Sequence, residues 1–359
     1  MKIVDRHLIH EYLRNLLFIT LSFLALFLII DFSEKIRMFL SNHATFGQMG
    51  SYFLFMIPMI ISQILPAAIL LASLVTCGTL SRHSEITAMK ANGISLYRIA
   101  LPILTIAVLS SLLIFFLSEW VTPHTNERAK NIRLIEVQKR PSMGSFKQDQ
   151  IWYRGQKGIY NFRLFDMQTN TLQGITIHYL DPQMKLVQRL DAERGEWKEG
   201  RWLFHNVLTT RFDNGEFPVL SRVKQQVVDL PERPSDFQLI QKVVEAMGYF
   251  ELKRYIRKLR SEGYDATRYV VDLHGKIAFP LVSILLAIIG VSFSLRSERS
   301  GGIAQGIGAG LVIGFSYWIV YAFGMSLGRS GTLSPFIAAW FANILFAVAS
   351  LFLIRRVKT

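Results

Sequence analysis

Ser81–Ala100 reads SRHSEITAMKANGISLYRIA, a short polar island between two long apolar runs. Upstream, no charged residue occurs from Ala44 to Ser81; downstream, Ile99–Leu117 is almost wholly apolar. Each run is long enough to cross a bilayer, so the island is a tight turn-back at a membrane surface. Within it the spacing predicts a helix over 84–93: Ser84 stands at the capping position, Glu85 suits the positive end of the helix dipole, and Gly93 ends the helix about two turns later. Ile86 and Met89 fall on one side with Lys90 beside them. A two-turn helix does not hold by itself in water, so the sequence calls for something to pack on it.

Working outward, half of the 359 residues are hydrophobic and 18% are charged, a mixture of membrane and polar parts. Six stretches are long enough to span: about Tyr12–Ile30, Tyr52–Leu80, Ile99–Leu117, Gly275–Leu295, Gly302–Leu327 and Thr332–Ile354. Three precede and three follow a polar block. The expected organisation is residues 1–118 as spans one to three with the turn-back helix, 119–265 as an extramembrane domain, and 266–359 as spans four to six.

The block Glu119–Asp265 carries 24 Lys+Arg against 19 Asp+Glu, and the rest of the chain 16 against 7, so most of the net +14 sits on the membrane part. Its short loops place Lys2, Arg6, Arg82, Lys90, Arg98, Arg296, Arg299, Arg355, Arg356 and Lys358 on one side, which the positive-inside rule makes cytoplasmic. Both termini are then expected inside and the polar block exported. The first span has a basic flank but no small-residue cleavage site after its apolar core, so it reads as a retained anchor. Cys77 is the only cysteine, so the exported domain must cohere without an internal disulfide. Topology accounts for much of the basic charge without nucleic acid.

From about Gln150 to Lys224 the pattern alternates with period two. Ile151 and Tyr153 precede a turn at Arg154–Gly158, and Ile159–Phe162 resumes after it; Ile175, Ile177 and Tyr179 alternate up to Asp181-Pro182; Trp197 and Trp202 flank Glu199-Gly200; Asp213-Asn214-Gly215 marks another turn. This spacing predicts an antiparallel β sandwich or open barrel, whose edges are either protected or available to a strand from another chain. Helical spacing returns over Ser235–Glu262, after the linker Leu230–Pro234, and Gly263 ends it.

Enzymatic chemistry has no foothold in the pattern. The chain lacks a phosphate-binding G-x-x-x-x-G-K-[ST] loop, a G-x-S-x-G nucleophile and any H-x-x-x-H pair, so no ATP hydrolysis, acyl transfer or metal site is expected. Two features invite partners. Gly302, Gly306, Gly310 and Gly314 recur every four residues through the fifth span, with Gly308 beside them, and make a stripe that lets another helix approach closely, either within the chain or from a partner at a movable contact. At the outer end of the first span, Asp31, Glu34, Lys35 and Arg37 follow the apolar run. Snorkelling anchors account for these charges, but positive charge on the outer side runs against the topological bias, so Lys35 and Arg37 are also candidates for binding phosphates. Lys276 and Arg329 are weaker candidates for the same task.

Three spans, an exported β domain, three more spans and a turn-back reading Ser84-Glu85-Ile86-Thr87-Ala88-Met89-Lys90-Ala91-Asn92-Gly93-Ile94-Ser95 together resemble the LptF/LptG family of lipopolysaccharide export permeases. Asp5-Arg6 before the first span, Glu119-Trp120-Val121-Thr122-Pro123 after the third, and Tyr264–Phe293 through the fourth carry it further, with Glu119-Trp120-Val121 closer to the LptG side of the family. The resemblance implies an inner-membrane subunit of an ABC transporter with six spans and a periplasmic jellyroll-like domain, which extracts lipopolysaccharide and passes it to a periplasmic jellyroll bridge. It implies a heterodimer with an LptF-like subunit, an LptB ATPase dimer that binds ATP and Mg in place of this chain, and LptC. Glu85, Ile86, Met89, Lys90 and Gly93 then belong to a coupling helix docked on LptB; Lys35 and Arg37 can fill the role of the family's basic residues that contact lipopolysaccharide phosphates, with Lys276 and Arg329 kept as the weaker candidates for lipopolysaccharide binding; Gly302, Gly306, Gly310 and Gly314 pack at a lateral gate. The chain departs from the family pattern at Asp31 and Met38, where lysines are expected. A permease for another envelope lipid or lipoprotein, or a membrane-anchored periplasmic scaffold, are the alternative functions.

Overall fold

The structure, a computed structural model, describes residues 3–139, 144–147, 150–155, 157–166, 169–181, 183, 185–198, 200–212, 217–234, 237, 247–261, 265–296 and 303–356. Asp213-Asn214-Gly215, Gly263, Gly302 and most of the expected helix before Gly248 lie outside these residues. Contacts divide the molecule into two compact units: Met1–Arg133 with Gly248–Ile256 and Asp265–Thr359, and Leu134–Met247 with Arg257–Tyr264.

The first unit holds the membrane helices. They are α1 (Ile3–Ser41), α2 (Phe46–Arg82), the short α3 (Glu85–Ala91), α4 (Leu96–Phe116), α5 (Thr122–Asn131), α7 (Thr267–Arg296), α8 (Ile303–Arg329) and α9 (Pro335–Arg356); α6 (Tyr249–Ser261) begins in this unit. Among the described residues, six helical segments are long and apolar enough to cross a membrane, as the sequence predicts. The third is longer than its apolar run, continuing from Leu96 to Val137 through π-helical turns at Leu117–Val121 and Ile132–Val137. Pro123 does not stop it: it follows directly on the π-helical turn at Leu117–Val121, the kind of local adjustment that accommodates a residue without an N–H inside a helix. At the start of α2, Thr45 and Gln48 cap each other's backbone reciprocally, which turns the chain sharply out of α1.

Two large side-chain clusters among the described residues, with a smaller one around Val271 and Met325, hold this bundle. One joins α1 (Leu8, Tyr12, Leu16), α2 (Leu65, Ile69, Ala72), α3 (Ile86), α4 (Ile99, Ile103) and α7 (Ala287, Val291); the other joins α2, α7, α8 and α9 around Leu70, Leu74, Val282 and Tyr317. Several polar groups are paired inside the bundle: Asn15 Nδ2 donates to Thr76 Oγ1 at 2.9 Å, Tyr317 OH to Asn343 Oδ1 at 2.9 Å, and Asn343 Nδ2 to the Ala278 carbonyl at 2.6 Å. Such pairing is what allows amide and hydroxyl groups at membrane depth.

The second unit is one antiparallel sheet in the order β1-β2-β3-β5-β6-β7-β8, with β4 (Leu164–Asp166) paired to β5. Its strands are β1 (Gly144–Lys147), β2 (Gln150–Arg154), β3 (Gly158–Phe162), β5 (Thr171–Leu180), β6 (Leu186–Lys198), β7 (Arg201–Arg211) and β8 (Val219–Val228). The expected hairpins at Arg154–Gly158 and Trp197–Trp202 are present. A single sheet encloses a core here because it bends. Core residues switch parity across one row: Leu172 gives way to Ile175 and Ile177 on β5, and Trp202 and Phe204 to Val207 on β7. In a regular strand one face keeps residues two apart, so the switch marks a corner. Gly174 (φ 59°) and Asn206 (φ 52°) sit in the left-handed region at this row and make the turn. On the inside, Trp202, Phe204 and Phe237 pack together, and the Trp202 indole donates to the Glu232 carbonyl at 2.8 Å.

Candidate functional site

The turn-back is built from α3 and its two connections. Ser84 precedes α3 as expected, but it lies at φ 58° and its side chain makes no capping bond, so its contribution is the sharp reversal out of α2. Gly93 does end the helix. At φ 79° it lets Gly93 N donate to Lys90 O (2.9 Å) and Ile94 N to Met89 O (3.0 Å), the paired bonds of a Schellman stop. Ser95 then caps α4 by accepting from Arg98 N.

What packs on the short helix is first of all the chain itself. Ile86 is fully buried among α1, α2 and α4 side chains, and Met89 and Ile94 rest on the same cluster. Ile86 therefore cannot be a contact residue for a partner in this arrangement; its apolar side chain pins the helix down, and Thr87, Ala88, Ala91 and Asn92 form the outward face. Lys90 is half-buried at the helix's last turn, a favourable place for a cation.

Glu85 is half-buried and faces the start of α1, where His7 Nε2 donates to its Oε2 at 3.1 Å; His83 Nδ1 lies 4.0 Å from Oε1. A second link, Arg98 to Asp5 at 3.5 Å, ties the first turn of α4 to the same turn of α1. The pairing of His7 with Glu85 and of Asp5 with Arg98 shows only in the folded chain, because the partners lie tens of residues apart in sequence.

At the far end of α1 the candidate cations separate. Lys35 is paired with Asp31, which is 8% exposed, and its ammonium lies 5.5 Å from the centroid of the Tyr52 ring. Arg37 is exposed and has no partner among the described residues. Arg329 is neutralised by Asp272, through Nε at 2.8 Å and Nη2 at 2.7 Å, so it joins α8 to α7 and is not an open anion site. Lys276 is half-buried and feels the carboxylates of Glu119, Asp272 and Glu251. Of the four, Arg37 is the one that stands exposed with no partner among the described residues.

Glu119 has a task of its own: its carboxylate accepts from the backbone N–H groups of Tyr249 and Phe250 (the latter at 3.1 Å) and so caps α6. A Cβ at Gly248 would stand 2.8 Å from Glu119 Oε1, so that close approach requires glycine. On α8, a Cβ at Gly310 would meet Leu74 at 2.5 Å and Leu71 at 2.8 Å, and one at Gly314 would meet Leu70 at 3.9 Å. These two glycines thus face α2 of the same chain, where packing within the chain explains them. Gly306 lies on the same helix, Gly302 lies outside the described residues, and Gly308 is exposed with nothing within 4 Å of its would-be Cβ.

Among the described residues, six apolar spans, an inserted β domain and a charged turn-back packed on the helix bundle define a multi-pass membrane protein with a large extramembrane domain. The sequence matches the family described as lipopolysaccharide export system permease LptF/LptG over residues 6–356, and the chain belongs to that family. It is 24% identical to the lipopolysaccharide export system permease protein LptG of Escherichia coli K12 over 361 residues, which cover 96% of this chain and 97% of that protein. It is 23% identical to the LptG of Haemophilus influenzae over 320 residues, 88% of each chain. The chain is accordingly a transport subunit of the lipopolysaccharide export system, set in the inner membrane with its β domain in the periplasm.

Proposed function

We propose that this chain pairs with an LptF-like permease subunit over a dimer of the ATPase LptB, with LptC joined to the pair, and converts ATP binding on LptB into upward transfer of lipopolysaccharide. ATP and Mg stay on the ATPase. The outward face of α3 docks in a groove on LptB, and Glu85 is the acid that takes the push. The observation that carries this is the pair of links from the turn-back to the first turn of α1, Glu85–His7 and Arg98–Asp5. Because α1 is continuous from Ile3 to Ser41, about 58 Å at 1.5 Å per residue, a displacement at its inner end reaches Arg37 at its outer end without a break. Closure of the bundle then drives the lipid into the periplasmic domain, which passes it to the jellyroll bridge.

Purification of the chain from its native membrane tests the assembly. A second permease subunit, an ATPase with a phosphate-binding loop and bound lipopolysaccharide are expected together; recovery of another lipid, or of the chain with periplasmic partners and no ATPase, overturns the assignment. The cation at the outer end has its own test. Arg37→Glu is expected to weaken photo-crosslinking of lipopolysaccharide to the outer end of α1 about tenfold or more, the scale of one charge-assisted contact reversed in sign. Lys35→Glu should act mainly by placing a carboxylate beside Asp31, seen as a lower melting temperature. Undiminished crosslinking in Arg37→Glu leaves it a membrane anchor.

A further inference from the structure

At the corner of the periplasmic sheet lies a concavity of about 480 Å³, on the scale of small-ligand sites. It is built by the bend itself. Gly174 on β5 and Asn206 on β7 take left-handed conformations on either side of Glu193 on β6, and the strands turn away from each other's regular pleat there. Register carries one row of side chains across the hollow: Asn161 on β3, Thr176 on β5, Asp191 on β6, Leu208 on β7 and Arg222 on β8. Asn161 is 5% exposed, a buried amide in the floor.

The polar groups are oriented by one another. Thr176 Oγ1 and Arg189 Nη2 both donate to Asp191 Oδ1 at 2.8 Å, and Asn206 Nδ2 donates to Glu193 Oε2 at 2.6 Å. Asp191 and Glu193 keep accepting capacity beyond these bonds. Arg163 and Arg189 stand in the wall, and Arg222 closes the β8 side with no partner among the described residues. Carboxylates that accept from hydroxyls, beside guanidinium groups that take phosphate in a fork, match neither a bare anion nor an apolar ligand.

We infer that this corner binds a phosphorylated saccharide, with sugar hydroxyls donating to Asp191 and Glu193 and the phosphate set against Arg222. The inference rests on the export reading above for the source of the ligand: the saccharide head of lipopolysaccharide fits this chemistry, and so does a free sugar phosphate of the periplasm.

The assembled complex is titrated with de-acylated, phosphorylated lipopolysaccharide oligosaccharide, with its dephosphorylated form, and with glucosamine 6-phosphate, and binding is followed by saturation-transfer NMR. Saturable binding of the phosphorylated oligosaccharide is expected, weakened about tenfold or more by dephosphorylation, by Arg222→Glu and by Asp191→Asn. Arg222 is exposed, so its replacement leaves the fold intact, and an unchanged melting temperature checks this. Equal affinity for glucosamine 6-phosphate identifies a free sugar phosphate as the source and retains the site; selectivity for the oligosaccharide identifies the cargo. No saturable binding, or binding indifferent to Arg222→Glu, overturns the site. If that happens while lipopolysaccharide still co-purifies with the complex, the export reading stands; if lipopolysaccharide fails to associate at all, it is the export reading that falls.

Discussion

Glu85→Arg, assembled with its partner subunits, is expected to lose lipopolysaccharide release by at least about tenfold, with weakened association of the ATPase. The present carboxylate accepts from His7 and stands near His83, and the turn-back around it carries Arg82, Lys90 and Arg98. An arginine there removes the acceptor from α1 and places a cation among cations. Like charges brought together at an interface cost several kcal/mol, and each 1.4 kcal/mol is a factor of ten in the equilibrium. The fold should survive, because Ile86 and not Glu85 holds α3 in the core. His7→Gln gives the finer cut: it keeps a donor near Glu85, so ATPase association should persist, whereas His7→Ala should leave the ATPase turning over with less release per ATP. ATPase rate and release are therefore measured on the same preparations. Unchanged behaviour of Glu85→Arg in both sinks the coupling role.

The membrane architecture was legible because each span is a local property. An uninterrupted apolar run of bilayer length declares itself with no knowledge of its neighbours, and the six runs reappear as six long helices. The end of α3 was legible for the same reason, since Gly93 is one of few residues that accept φ 79° without strain. The His7–Glu85 contact was not, because 78 residues separate the two and nothing around either names the other. The helix looked as if it needed an outside partner because local pattern could not show that Ile86 reaches its own core. The candidate cations divide for a related reason: sequence order could not show that Lys35 is paired with Asp31 and Arg329 with Asp272, while Arg37 has no partner among the described residues. In the β domain, alternation located the strands but not the corner. Asn206 bends β7 from within a strand-like run, where sequence gives no turn signal.

The glycine stripe of α8 separates two functions that its regular spacing blurs, and substituting two of its members tells them apart. Gly310→Leu forces a side chain to within 2.5–2.8 Å of where Leu74 and Leu71 now lie, a distance that packed carbon atoms do not tolerate. Either α8 moves off α2 or the leucines leave their rotamers, at about 1–3 kcal/mol for overpacking. The detergent-solubilised chain should melt several degrees lower, and loss of release should follow from loss of fold. A Cβ at Gly308 meets nothing within 4 Å and the position is exposed, so the melting temperature of Gly308→Leu should stay put. Gly308 is exposed on a helix whose Val312, Phe315 and Ile319 also stand outward, so an added side chain there is expected to weaken association with the second permease subunit. The pair is read by melting temperature and by subunit co-purification together. A Gly310→Leu chain that melts normally yet loses its permease partner would mean that the stripe itself, and not the exposed face beside it, meets the other subunit.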